Sequence, residues 1–201
     1  MSLITDTRNA DLTFAAGDVI AYYSQLGTTP PVGFAAVTSP WICLGWVDVT
    51  GAIFKLSETI KDVMAAGTLD PIRTITSAAP KTFDLTFMEG LNPAVRALYD
   101  DVLLTELQPG TGTTVATYLT PEIPTDNRYC FLFDTIDGDK AMRNFCVNAK
   151  VTNRGNDQQQ QLDAETIQLT VTLYPDLIGS TRSAMQRYID YGAADLTPFF
   201  A

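Results

Sequence analysis

Histidine is absent from this 201-residue sequence. That absence removes Ser-His-Asp and Cys-His nucleophile systems and every histidine-ligated metal. Cysteine is scarce too. Cys43, Cys130 and Cys146 lie far apart with no C-x-x-C, so neither a disulfide framework nor a zinc site is expected. Each sits in an apolar or strand-like stretch and reads as a small buried thiol. Positive charge is also short: 13 Lys and Arg stand against 23 Asp and Glu, a formal net charge of -10. Such a surface repels phosphate backbones and argues against a nucleic-acid binder. It does not argue against a protein that lets DNA pass without holding it. No apolar run approaches the roughly 20 residues of a membrane helix, so no membrane partner is expected. The opening Met1-Ser2-Leu3-Ile4-Thr5-Asp6 lacks the basic and apolar regions of a secretory signal, so none is expected, and the odd, unpaired cysteines make the cytoplasm the expected place of folding.

What is present is ordinary globular material, 46% hydrophobic and 18% charged, long enough for one core with extended arms. A single domain over 1–201 is expected, with an N-terminal arm at 1–16 and a C-terminal tail at 177–201. Val19-Ile20-Ala21-Tyr22-Tyr23 is a β-prone run closed by the turn-rich stretch 27–33. Residues 41–49 (WICLGWVDV) and 52–56 are further strand candidates. The clearest local signal is the pair 72–77 (IRTITS) and 81–88 (KTFDLTFM), joined through Ala78-Ala79-Pro80 and read as a hairpin. Phe83, Leu85 and Phe87 share one face of the second strand; Thr82, Asp84 and Thr86 share the other.

Asn92 is a good N-cap and Pro93 suits the first helical turn. Val95, Leu98, Val102 and Leu103 continue the helical period until Pro109-Gly110 stops it. A strand is expected at 115–119, then strands at 129–134, 145–152 and 167–174. In the last, Ile167, Leu169, Val171 and Leu173 oppose Gln168, Thr170 and Thr172. The polar stretch 154–164 (RGNDQQQQLDA) reads as a solvated loop. Strands outnumber helices, and no βαβ rhythm is visible. The expected fold is mainly β: an antiparallel β-sandwich or partly closed barrel with one flanking helix.

No nucleotide-binding or nucleophile-elbow motif occurs. Asp137-Gly138-Asp139 resembles a fragment of a calcium loop, but its glycine is misplaced and it reads as a turn. Asp100, Asp101, Glu106, Asp134, Asp137 and Asp139 offer no readable paired-carboxylate geometry. The chain is expected not to be an enzyme, with no cofactor and no metal. Trp41 and Trp46 flank an apolar strand, and Phe199 and Phe200 place two aromatics near the end of the sequence. These four are candidate contacts between subunits, with ordinary core packing the first reading for the tryptophans and docking on the chain's own core the equal alternative for the phenylalanines.

The order of these pieces resembles the major tail protein of long-tailed phages with non-contractile tails. The resemblance is carried by Leu44-Gly45-Trp46-Val47-Asp48-Val49-Thr50-Gly51, Leu56-Ser57-Glu58-Thr59-Ile60-Lys61-Asp62-Val63, Pro71-Ile72-Arg73-Thr74-Ile75, the strand at 81–87 and the helix start at 92–98. Leu169-Thr170-Val171-Thr172-Leu173-Tyr174-Pro175-Asp176 resembles the family's last strand and exit. The resemblance implies hexameric rings stacked into a tail tube in the virion, assembled in the bacterial cytoplasm. The implied partners are copies of itself, a tape-measure protein, tail-terminator and baseplate proteins, and passing DNA that is not specifically bound. Asp84 with Thr82 and Thr86 are the first candidates for a lumen wall; Gln168, Thr170 and Thr172 follow, and an acidic lumen would repel DNA. Two other readings stand beside it: a ring protein of a type VI secretion or other contractile tube, and a monomeric β-sandwich binding module of a virion fibre.

Overall fold

Alternating apolar and polar side chains fix the two strands at the centre of the fold. In the computed structural model, which describes residues 10–66, 70–155, 157, 165–194 and 196, they are β6 (Lys81–Phe87) and β9 (Ile167–Leu173). They pair antiparallel from Lys81↔Leu173 to Phe87↔Ile167, so Phe83, Leu85 and Phe87 meet Val171, Leu169 and Ile167 on one buried face.

The other strands are β1 (Asp18–Gln25), β2 (Ile42–Trp46), β3 (Ile53–Leu56), β4 (Thr59–Val63), β5 (Arg73–Ala78), β7 (Tyr129–Asp137), β8 (Lys140–Arg154), β10 (Asp176–Ile178), β11 (Thr181–Ser183) and β12 (Met185–Asp190). The main sheet runs β2-β1-β7-β8-β9-β6-β3, with β12 also on β8. The long β8 holds β7 along one edge and, on the other, first β12 and then β9. The chain leaving β2 curls back to β6: Val47 bridges Phe87, and the Asp48 amide donates to the Thr86 carbonyl at 2.8 Å. The sheet therefore wraps into a partly closed barrel, as the mainly β expectation held.

Inside it, Ala21, Tyr23, Leu44, Phe131, Phe133, Val151 and the β6 and β9 residues form one core, plugged by Ala94, Val95 and Leu98 of the helix α1 (Pro93–Asp100). The helix starts as expected: the Asn92 side-chain oxygen accepts from the Ala94 amide at 3.0 Å, with Pro93 in the first turn. It ends at Asp100, nine residues before Pro109, because Asp101 adopts a left-handed conformation at φ 57°. Its carboxylate is committed elsewhere, accepting from the Thr125 hydroxyl at 2.7 Å and pairing with Arg154 at 3.4 Å.

The expected hairpin of 72–77 with 81–88 is not formed. β5 pairs with β4, and β6 pairs with β9 and β3, so Pro80 is a break between two consecutive strands rather than a turn. β3 and β4 run beside β6 and β5 in turn, so the β3–β6 edge of the main sheet continues into a two-stranded β4–β5 ribbon that is exposed along its whole length. The stretch 115–119 is not a strand. Asp137 and Lys140 close a tight β7–β8 hairpin with Gly138 at φ 61°. The segment read as a tail from 177 carries β11 and β12, and β12 joins the main sheet. Of the segment read as an arm, 1–9 lies outside the described residues; within 10–16, the Ala15 amide donates to Asp137 at 2.9 Å. Most of the polar stretch 154–164 also lies outside them.

Candidate functional site: the polar outer face of the sheet

The β6–β9 register that buries the apolar residues also sets the polar ones on the opposite face. Thr82 faces Thr172, Asp84 faces Thr170, and Thr86 faces Gln168, so all six predicted residues form one strip of three opposed pairs. β3 widens the strip by setting Lys55 beside Thr82, and β8 widens it by setting Lys150 beside Thr172. Thr152 joins through a 2.7 Å hydroxyl contact with Thr172.

The strip is not acidic. Asp84 is ion-paired with Lys55 and accepts from the Thr170 hydroxyl at 2.8 Å, and Lys150 is paired with Asp126 at 2.9 Å. Each ammonium has a carboxylate beside it, and Asp126 also pairs with Arg128 at 3.4 Å, so this wall of hydroxyl and amide groups carries no excess of negative charge. The acidic character that Asp84 lends this face in the sequence is therefore offset: sequence reading could assign Asp84 to a face but not find Lys55, 29 residues away.

The hydrogen bond from Lys55, aided by the one from Thr170, holds the Asp84 carboxyl below its usual range against a smaller opposing effect of burial. A lowered folded-state value means stability that is present above the unfolded-state value, about pH 4, and lost as pH falls through the folded one. Asp84→Asn should therefore lower the thermal midpoint at neutral pH, and the gap from wild type should close on acidification. A gap constant from neutrality to strongly acidic pH would contradict this.

No protein-family model matches the sequence, and no curated protein does. A solved chain is similar in outline. It comes from a cryo-EM structure of the anti-feeding prophage (AFP) baseplate, 6-fold symmetrised, with 6% identity, 87% of this chain and 95% of that chain covered, and a TM-score of 0.40. That level of likeness says nothing about what this chain does.

The other predicted residues separate. Trp41 is packed in a second small core, edge-on to Phe145 at 6.0 Å with Cys130 and Leu132, the core packing given as the alternative for it. Trp46 is 70% exposed. Phe199 and Phe200 lie outside the described residues. Cys130 and Cys146 are buried as expected, whereas Cys43 is exposed.

A cleft of about 710 Å³ beside Tyr23, Trp41, Leu98 and Tyr129 has Arg128 as its one charged side chain. Burial pushes the Tyr23 phenol up to about 12, so it stays neutral there. Among the described residues no group of three or more acidic or cysteine side chains could hold a metal ion.

Proposed function

We propose that this chain is a virion structural protein that assembles with copies of itself into stacked rings, forming a tail tube through which DNA passes. The observation that carries the reading is the strip itself: six hydroxyl, amide and carboxylate side chains on one face of a sheet whose other face is a dry core. Its β3 border has an unpaired outer edge among the described residues, as does β12. Open edges invite pairing, and joining them between subunits would satisfy their backbone groups while turning the strip toward a shared lumen. Since both lysines on the strip are neutralised, a passing phosphate meets no free ammonium. The chain supplies a surface, and no catalytic step is assigned to it.

Size measurement followed by negative-stain microscopy tests the assembly. Rings or tubes with an open channel are expected, and a stable monomer at high concentration would overturn it. Asp84→Lys tests the lumen: it sets a second ammonium beside Lys55, so tubes should still form while DNA delivery slows several-fold or more. Undiminished infectivity would remove the strip from the channel wall.

A further inference from the structure

The β4–β5 ribbon and the far end of β6 form two unpartnered surfaces. The pairing Lys61↔Ile75 and Val63↔Arg73 puts two cations and two aliphatic side chains on one ribbon face. All four are exposed, and among the described residues neither Lys61 nor Arg73 enters an ion pair. The reverse face carries no cation: there the Thr74 hydroxyl donates to Asp62 at 3.1 Å, and Ile60 beside them is exposed. A two-stranded ribbon projecting alone into water is marginally stable, so a partner on the cationic face would supply what its own sheet does not.

At the other end of β6, roughly 20 Å away at about 3.3 Å per residue, the Val47–Phe87 bridge sets Trp46 opposite Met88 on the outer face. Their exposures are 70% and 43%; Val49 and Leu91, on the adjoining turns, reach 98% and 86%. Two carboxylates frame this apolar patch. Asp48 is held by the Thr50 amide at 3.0 Å, and Glu89 accepts from the Trp46 amide at 2.9 Å. Glu89 reaches that amide because Gly45, at φ 79°, has no side chain where the carboxylate lies.

One surface is aliphatic and cationic, the other aromatic, aliphatic and anionic, and the length of β6 keeps them apart within one molecule. We infer that the Lys61–Val63–Arg73–Ile75 face of one copy docks on the Trp46–Met88–Leu91 patch of a second copy, head to tail. Aliphatic contacts bury the patch, and Lys61 and Arg73 approach Asp48, Glu89 and the Trp46 ring. Such a contact is heterologous and does not close on itself along the β6 direction, so it propagates. The inference rests on the tube reading and assigns the contact between stacked rings within it.

Cysteine cross-linking of mixed copies tests it, in a Cys43→Ser background. Chains carrying Ile75→Cys are mixed with chains carrying Leu91→Cys and oxidised. Linked dimers containing one of each are expected. Dimers that form as readily within either pure sample would overturn the inference. Rings without mixed cross-links would overturn it while leaving the ring reading standing; monomers throughout would overturn both. Trp46→Ala provides an independent measure, since an exposed side chain contributes little to folding. It should raise the concentration needed for stacking by about tenfold or more at an unchanged thermal midpoint. Unchanged stacking would count against the patch.

Discussion

Arg143→Met is expected to lower the unfolding free energy by about 3–5 kcal/mol, the usual cost of leaving half of a buried ion pair behind. Arg143 stands opposite Asp134 on the paired strands β8 and β7 and is 4% exposed. Its Nε donates to one carboxylate oxygen at 2.7 Å and Nη2 to the other at 2.6 Å. Nη1 reaches across to the Gly33 and Ala35 carbonyls at 3.0 and 2.7 Å, and the guanidinium lies 5.6 Å from the Phe34 ring. One side chain thus clamps the long β1–β2 connection to the sheet. Methionine fills the volume but strands a carboxylate and two carbonyls. Denaturant unfolding measures the loss, and hydrogen exchange should show the 26–40 segment opening first. Adding Asp134→Leu should recover much of the stability while the connection stays loose. A loss below about 1 kcal/mol would show that water satisfies these groups.

Arg143 also shows where sequence reading stops. Phe145 and Arg143 look alike by position on a strand, and nothing local announces that the guanidinium meets carbonyls more than a hundred residues earlier. The strands that were legible, β6 and β9, announce themselves because one face is dry and the other wet, a pattern written within seven residues. β4 was missed because neither of its faces is buried and no alternation is imposed on it. For the same reason β5 was assigned the wrong partner: pairing is a non-local choice, and Pro80 looks like a hairpin turn when only its neighbours are seen. The helix cap was legible at Asn92, whose bond to Ala94 is local; the end at Asp101 was not, since Thr125 and Arg154 lie outside the periodic stretch. The six strip residues were found because period two assigns faces. Their charge balance was not, because Lys55 reaches Asp84 only after β3 and β6 have paired.

Phe133→Ala carries the other large effect, about 3–5 kcal/mol of stability. Phe133 is fully buried, 5.9 Å from Phe131 in a stacked pair and 4.6 Å from Phe83, which in turn lies 5.1 Å from Phe54. These rings cross the barrel interior from β7 to β6 and β3, joining walls that lie far apart along the sheet order. Truncation removes the middle of the column, and the neighbours, each fixed in a paired strand, relax only partly into the space. Phe133→Leu keeps most of the volume and should cost less than half as much. A drop below about 1.5 kcal/mol for the alanine variant would mean that the walls close in. The column also supports the base of the β4–β5 ribbon through Phe54, which links core to assembly in a testable way. Phe133→Ala should unfold earlier yet still stack at temperatures where it is folded; Trp46→Ala should keep its thermal midpoint and lose stacking. If both variants lost stacking only in proportion to unfolding, the ribbon and patch would be passive surfaces, so the contrast between one core ring and one exposed ring separates folding from assembly.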